Sequence, residues 1–390
     1  MSRGAGASAP DERVALRTLA REWGRIGVIG VGGPPAHIAL LRRLSVEDRH
    51  WLTDEDFAHA LAAANLLPGP ASTQLMIYVA WRLRGVRGAL VGATCFIAPG
   101  LLMIVSLAAV FFVRHPAHWL LGASLGAGAA VPAVAVRTAW QLAVPSWRAT
   151  TARPARNRWI LYVLVGVVTS LLAPALVVLA LVVCGVSEVL ARRPSPSSPS
   201  VLGAGTVLSA HVATLGGVGA LAWVALKVGA LSYGGGFVIV PLMQHDVVST
   251  YHWMTGAQFL NVVALGQITP GPVVLTVAAV GYAAHGLSGA ALATLVAFAP
   301  SLLIVIAGAR HFERLRHNRS ATAFLAGAGP AVTGAIAASS IALGLLVTHQ
   351  WQLGVLAGAL GWTFVLRRSA TVMLLIAALL GALLSGVVPV

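Results

Sequence analysis

The stretch Leu67-Pro-Gly-Pro-Ala71 decides the fold of this sequence, because a counterpart, Thr269-Pro-Gly-Pro-Val273, lies 202 residues further along. A glycine pair precedes each Pro-Gly-Pro, Gly32-Gly33 in the first case and Gly234-Gly235 in the second. Proline lacks an N–H and glycine tolerates positive φ, so neither motif continues a regular helix. The chain therefore reads as two similar halves, each with two breaks in its apolar segments.

The same register extends beyond these motifs. The shift of 202 residues also superposes Trp51 on Trp253, and after one deletion a shift of 201 residues superposes Pro99 on Pro300. Scattered alanine and glycine matches arise from composition alone, but tryptophan and Pro-Gly-Pro rarely keep one register by chance. The sequence predicts an internal repeat.

The composition places both halves in a membrane. Hydrophobic residues make up 58% of the chain and charged residues 9%, whereas soluble domains carry about 25% charged residues. Runs such as 90–113 and 119–144 reach the roughly 20 apolar residues that a membrane-spanning helix needs. We predict an all-α polytopic membrane protein with about 13 hydrophobic segments, six per half and one connecting segment.

The distribution of charge indicates orientation. The net charge of +15 would suggest nucleic acid on a soluble protein, but the arginines fall in short clusters between apolar runs, so we expect no nucleic-acid partner. Basic clusters mark cytoplasmic loops. They occupy different loops in the two halves. The first half has its cluster soon after its Pro-Gly-Pro, at Arg82, Arg84 and Arg87, whereas the second half has its cluster one apolar segment later, at Arg310, Arg314, Arg316 and Arg319. The pattern predicts inverted-topology repeats, with a cytoplasmic N-terminus.

These features divide the chain into four parts. Residues 1–25 are predicted to form an amphipathic interfacial segment, and residues 26–190 the first repeat. A Pro/Ser-rich linker with a connecting transmembrane segment follows at 191–224, and the inverted second repeat occupies 225–390. Re-entrant hairpins at the breaks would return Arg42, Arg43 and Arg49 to the cytoplasmic side, so we favour broken or re-entrant helices over full crossings.

The breaks favour an anion as the transported solute. Helix N-termini at a break direct N–H groups and positive dipole ends inward. No carboxylate lies centrally in a long apolar span, although cation carriers usually place one there. A proline kink with only a packing role is the alternative, but two copies at matched positions favour a site.

The candidate pathway residues are the break residues and the polar or basic groups beside them. The break residues are Gly32, Gly33, Pro34, Pro68, Gly69, Pro70, Gly234, Gly235, Pro270, Gly271 and Pro272. The polar candidates are Asn65, Thr73, Gln74, Tyr78, Gln267, Thr269 and Tyr282, and the basic candidates are Arg25, Arg137 and Lys227. Interhelical hydrogen bonding is the alternative role for the amides, and interfacial snorkelling is the alternative for Arg25 and Lys227.

Motifs of catalysis are absent from the sequence. It contains no His-Glu-x-x-His, no Walker loop and no nucleophile elbow. We therefore predict neither an enzyme nor a cofactor or metal site, and transport would run on a gradient or be passive.

These motifs in series resemble the chromate transporter (CHR) family in its two-domain, long-chain form. The resemblance rests on Gly32-Gly-Pro-Pro-Ala-His-Ile38, Trp51-Leu-Thr-Asp-Glu-Asp-Phe57, Leu67-Pro-Gly-Pro-Ala-Ser-Thr-Gln74, Ser232-Tyr-Gly-Gly-Gly-Phe237 and Gln267-Ile-Thr-Pro-Gly-Pro272. It departs from the family at Val31, where a phenylalanine is frequent, and at Gly236, where the first half has Pro34.

The resemblance implies a secondary transporter that exports chromate across the inner membrane and confers chromate resistance. Sulfate, a dianion of the same tetrahedral shape, is a related substrate. The implied partners are the dianion and the lipid bilayer, and a homodimer is left open. The alternatives are a passive oxyanion channel, a carrier of sulfate or another oxyanion on the same fold, and a membrane enzyme or scaffold without transport.

Overall fold

The computed structural model describes residues 14–65, 67, 69–113, 117–192, 216–232, 239–311, 318–366 and 369–385. Its helices in chain order are α1 (Leu16–Ile29), α2 (Pro34–Arg42), α3 (Asp54–Ala64), α4 (Ala71–Phe111), α5 (His118–Ala149), α6 (Arg153–Leu172), α7 (Val177–Ala191), α8 (Gly217–Leu231), α9 (Ile239–Gln244), α10 (Gly256–Ile268), α11 (Thr276–Gly308), α12 (Arg319–Gly344), α13 (Gln350–Gly361) and α14 (Ala370–Leu384).

The predicted fold class is confirmed. All regular structure within these ranges is helical. Six of the described helical segments are long and apolar enough to cross a membrane, namely Ala71–Phe111, His118–Ala149, Arg153–Leu172, Pro174–Ala191, Val273–Gly308 and Arg319–Gly344. Shorter apolar helices occur at Gly217–Leu231, Gly256–Ile268 and Ala370–Leu384. The chain is an all-α polytopic membrane protein.

The internal repeat is visible in backbone detail. Arg84 and Gly85 have φ of −142° and 59°, and their counterparts His285 and Gly286 have φ of −143° and 61°. In both halves the glycine ψ is −149°, a combination with positive φ that is open essentially to glycine alone. The two halves therefore share one chain path and not only one composition.

The Gly85 turn divides α4 into two antiparallel limbs, residues 71–83 and 86–111. A Cβ added at Gly92 would lie 2.6 Å from the Ala80 Cβ, whereas residues 12 apart in a straight helix are about 18 Å apart. Within α11, a Cβ at Gly281 would lie 2.4 Å from the Gly289 carbonyl oxygen. Each Pro-Gly-Pro thus begins a short limb, which turns back into a long helix.

Both breaks of the first half are tips of re-entrant hairpins. Arg49, which follows α2, donates from Nη2 to the Glu22 carboxylate of α1 at 2.6 Å. If α2 continued in the direction of α1, these residues would lie about 40 Å apart. Arg82 in the first limb of α4 pairs with Asp56 of α3 at 3.0 Å, which closes the second hairpin in the same way.

The second half repeats the first of these closures. Lys227 of α8 pairs with Asp246, which follows α9, so α8 and α9 also reverse direction. An arm such as α1, with 14 residues, is about 21 Å long. The hydrocarbon core is about 30 Å thick. An arm of this length is shorter than the core, so we infer that the first hairpin turns back before it reaches the far side.

The two halves run in opposite directions. Helix α12 is the counterpart of α5, since Gly327-Ala-Gly329 matches Gly126-Ala-Gly128. It lies parallel to α6: a Cβ at Gly166 would meet the Ala331 oxygen, and further along Ser170 donates to the Ala335 oxygen at 3.5 Å. Because α6 follows α5 after a short turn and runs antiparallel to it, α12 is inverted relative to α5.

Small residues allow close contact between the halves where α5 meets α14. Helices α5 and α14 cross antiparallel, with Gly122 against Gly381 and Gly126 against Ala377. A Cβ at Gly126 would lie 2.2 Å from the Ala377 oxygen. This Gly-x-x-x-Gly face on α5 permits backbone contact where the lipid supplies no hydrophobic driving force.

The first helix differs from the interfacial segment that the sequence predicts for residues 1–25. Residues 1–13 lie outside the described residues. From Leu16 the helix α1 runs through residue 25 to Ile29, and it buries Trp23, whose Nε1 donates to the Met76 oxygen at 3.0 Å. Residues 16–25 are therefore part of the first hairpin, because they form one helix with residues 26–29 and their buried side packs on α4.

Many of the described arginines gather at one end of the bundle, which we call the arginine-rich face. Successive helices joined by short turns alternate between the two ends. One end of the bundle consequently holds four chain segments, namely the turn within α4, the α5–α6 turn, the end of α7 and the start of α12. They carry Arg82, Arg84, Arg87, Arg148, Arg153, Arg156, Arg158, Arg192 and Arg319.

Candidate functional site

A cavity of about 620 Å³ lies where the hairpin tips of both halves meet. The first hairpin contributes Gly32 to Pro35, and the second contributes Asn65 and Ala71. The second half contributes Gln267 and Val273 from either side of its own Pro-Gly-Pro. Helices α5 and α14 complete the wall with Val134, Arg137, Thr138, Gln141, Leu142, Ser369, Ala370, Thr371 and Leu374. The repeat and the breaks together therefore build one chamber.

The charge of the chamber wall is positive. Among the described lining residues Arg137 is the charged one, and no carboxylate is among them. Arg137 is half-buried and lies 12 residues before the end of α5, which places it about 18 Å from that end. An arginine at such a depth faces a cavity or a partner because lipid exposure is costly. Its position favours an anion and disfavours a cation.

Helix N-termini add to this positive field. Pro34 begins α2, Ala71 begins α4 and Ala370 begins α14, and all three line the cavity. Val273 begins the 3-10 turn that leads into α11 and lines it as well. Each helix N-terminus carries the equivalent of about half a positive charge. Such ends are a recurrent binding place for oxyanions.

Two amides at matched positions face the same space. Asn65 ends α3, and Gln267 lies near the end of α10, three residues before each Pro-Gly-Pro. Both line the cavity. The Gln267 Nε2 is buried and has no hydrogen-bond partner among the described residues. A buried amide without a partner is costly, and an oxyanion in the cavity would accept its hydrogen bond.

The tips of the two halves contact each other directly behind the cavity wall. The Gly271 N–H donates to the Gly30 oxygen at 3.2 Å. A Cβ at Gly100 would lie 2.4 Å from the Pro270 oxygen, and a Cβ at Gly69 would lie 2.8 Å from the Ser301 Oγ. Each Pro-Gly-Pro thus packs against the long helix of the opposite half. The motif sets the position of the first helical residue at the cavity.

The structure brings six of the predicted site residues into this cavity, which are Gly32, Gly33, Pro34, Asn65, Arg137 and Gln267. Behind the lining lie Gly69, Pro70, Thr73, Gln74, Thr269, Pro270, Gly271 and Pro272, all of them buried. Tyr78 stacks on Trp81 and does not line the cavity, and Tyr282 is also outside the lining. Pro68, Gly234 and Gly235 lie outside the described residues.

The structure places the two matched basic candidates away from the cavity. Arg25 is exposed on α1, and Lys227 pairs with Asp246 beside the Trp223 ring. Neither lines the cavity.

Sequence reasoning missed four polar residues of the wall: Thr138, Gln141, Ser369 and Thr371. Helical spacing offered a signal for the first two, because positions 137, 138 and 141 share one face of α5. No comparable signal marked Ser369 and Thr371, since their position depends on how α14 crosses α5.

A family described as chromate transporter matches residues 17–186 and 219–383, one match in each half. No solved structure matches the chain.

Several relatives align over most of their length. A chromate transport protein of Cupriavidus metallidurans is 32% identical over 343 residues, which cover 84% of this chain and 82% of that protein. A probable chromate transport protein of Synechococcus elongatus is 27% identical over 95% of both chains. A chromate transport protein of Pseudomonas aeruginosa is 28% identical over 84% of this chain and 80% of that protein.

Proposed function

Because this chain belongs to the chromate transporter family, we propose that it is a secondary transporter that exports chromate across the plasma membrane and so confers chromate resistance. The observation that carries the proposal is the cavity between the inverted halves, where Arg137 and several helix N-termini meet and the described lining residues include no carboxylate. Family membership supports a transporter rather than an enzyme, and a multi-pass protein of the membrane.

The charge of the cavity suits a dianion. The N-termini of α2, α4 and α14 each contribute about +0.5, and with the Arg137 guanidinium the sum is about +2.5. Chromate carries two negative charges, so the wall offsets its charge in full. Asn65 and Gln267 add amide donors, which orient the tetrahedral oxygens. Sulfate has the same charge and shape, so it is the second substrate we propose.

Transport would follow from the inversion of the halves. In inverted-repeat carriers the solute binds near the midplane, and rocking of one half against the other opens the site to each side in turn. The arginine-rich face is assigned to the cytoplasm by the positive-inside tendency, which puts the N-terminus there too. The division into a first repeat at 26–190, a connector at 191–224 and a second repeat at 225–390 remains a prediction.

Uptake of labelled chromate into everted membrane vesicles tests the proposal. A secondary exporter fills these vesicles above the external concentration when a proton gradient is imposed, and excess sulfate slows the uptake. Vesicles without the protein are the control. Flux that only follows the gradient of chromate, whatever the proton gradient, would support the passive channel instead. Absence of any protein-dependent flux would contradict a transport role.

A further inference from the structure

A second cavity, of about 420 Å³, lies between the central cavity and the arginine-rich face. It is enclosed by the end of α5, the start of α6, the end of α7 and the start of α12. Hydroxyl, aromatic and charged side chains dominate its polar wall, among them Ser146, Thr150, Trp159, Tyr162, Glu188 and Arg192. We call it the vestibule.

The charged groups of the vestibule centre on one carboxylate. Glu188 is 3% exposed and accepts hydrogen bonds from two arginines. Arg158 donates from Nε at 2.7 Å and from Nη2 at 3.1 Å, and Arg192 donates from Nε at 2.7 Å. The Tyr162 hydroxyl donates at 3.2 Å. Two guanidinium groups thus share one carboxylate, which leaves the cluster with a net charge of +1.

The arrangement differs from a simple structural ion pair. A buried pair of one cation and one anion is neutral, and its two partners satisfy each other. Here Arg192 engages Glu188 through Nε alone, its side chain is 48% exposed, and it lines the vestibule. Its two Nη nitrogens do not bond to Glu188, and the guanidinium fork is suited to binding a second oxyanion.

The vestibule leads to the central cavity. Asn65 lines both spaces, and α5 forms a wall of each. Arg137 and Thr138 face the central cavity, and Ser146 and Thr150 face the vestibule. Nine residues separate Arg137 from Ser146, a distance of about 14 Å along the helix. One tetrahedral anion could therefore move from Arg192 past Asn65 to Arg137 without leaving polar surroundings.

We propose that the vestibule is a second oxyanion site, in which Arg192 binds a tetrahedral dianion in competition with the resident Glu188 carboxylate, which Arg158 holds in place. The site rests on the proposed function for its role, because it would collect the dianion at the arginine-rich face and pass it to the central cavity. Glu188 keeps the affinity low enough for the anion to leave, as conduction through successive sites requires.

The test uses opposite charge changes at the two partners. Arg192→Gln removes a positive charge and should raise the half-saturating sulfate or chromate concentration on the order of tenfold. Glu188→Gln removes the competing carboxylate and should lower that concentration by a similar factor. Arg153→Gln is the matched control, since Arg153 is exposed on the same face and outside the vestibule lining, and it should behave as wild type.

A structural role for the cluster predicts a different result. Loss of either partner would then impair both variants in the same direction, and this outcome would overturn the proposal. Arg192→Lys keeps the charge but loses the planar fork, so its half-saturating concentration should lie between those of wild type and Arg192→Gln. Wild-type kinetics in both Arg192 variants would overturn the proposal even if Glu188→Gln does not fold.

Equilibrium binding of labelled sulfate to the purified protein separates this inference from the proposed function. In an Arg137→Gln background the remaining binding reports the vestibule alone, and it should be lost in Arg192→Gln and strengthened in Glu188→Gln. If this holds while vesicles show no chromate flux, the vestibule stands and the transport proposal fails. If flux is normal and neither variant changes binding or uptake, the vestibule proposal fails alone.

Discussion

At the scale of single residues, spacing predicted more of the site than residue type did. Asn65 and Gln267 were singled out because both precede a Pro-Gly-Pro by three residues, and both line the cavity. Arg137 was singled out because it lies deep in an apolar run. Arg25 and Lys227 also matched in register, yet neither reaches the cavity. Matching positions in the repeat do not reveal whether a basic side chain is already paired with an acidic neighbour, as Lys227 is with Asp246.

Gln267 offers a test at this scale. Replacing it with leucine keeps the volume and removes the buried Nε2 donor, which lacks a partner among the described residues. A hydrogen bond to a charged group contributes about 1.5–3 kcal/mol, so the half-saturating chromate concentration should rise about tenfold or more. Gln267→Glu should impair uptake further, because it brings a carboxylate into the cavity. Uptake kinetics equal to wild type in both variants would remove Gln267 from the site.

At the scale of elements, the breaks were predictable and the depth of each residue was not. Proline and glycine chemistry marks where the helices stop. This chemistry does not indicate that Pro270 packs against Gly100 and Gly271 against Gly30. Both contacts lie behind the cavity wall, to which Val273 belongs. The hairpins themselves depend on long-range ion pairs such as Glu22–Arg49, which local patterns do not contain. For the same reason α1 was assigned to the interface rather than to the first hairpin.

The contact between α5 and α14 yields a stability prediction. Gly126→Ala would place a Cβ 2.2 Å from the Ala377 oxygen, and overpacking of this kind costs about 1–3 kcal/mol. The unfolding temperature of the purified protein should fall, and transport should weaken because α14 carries Ala370 at the cavity. Gly329→Ala is the matched control, since no atom lies within 4 Å of its added Cβ. Equal thermal stability of the two variants would contradict the packing described for this crossing.

At the scale of the whole molecule, the inverted arrangement of the halves brings lining residues from both of them to one cavity. Neither half encloses the cavity alone, because the first supplies Arg137 and two hairpin tips and the second supplies Gln267, Val273 and the start of α14. The sequence indicated this inversion through its arginine clusters. The parallel course of α6 and α12 bears it out. What composition could not supply is the convergence of helix N-termini, which depends on how the halves are packed.

The most direct test of the account compares chromate uptake into everted vesicles by wild type, Arg137→Gln and Arg137→Lys at equal amounts of inserted protein. The account predicts that Arg137→Gln raises the half-saturating chromate concentration at least about tenfold, because it removes the one full charge that the described wall offers to the dianion. Arg137→Lys should retain most of the uptake, since it keeps that charge. An Arg137→Gln protein with the chromate dependence of wild type would contradict the central claim that this cavity binds the transported anion.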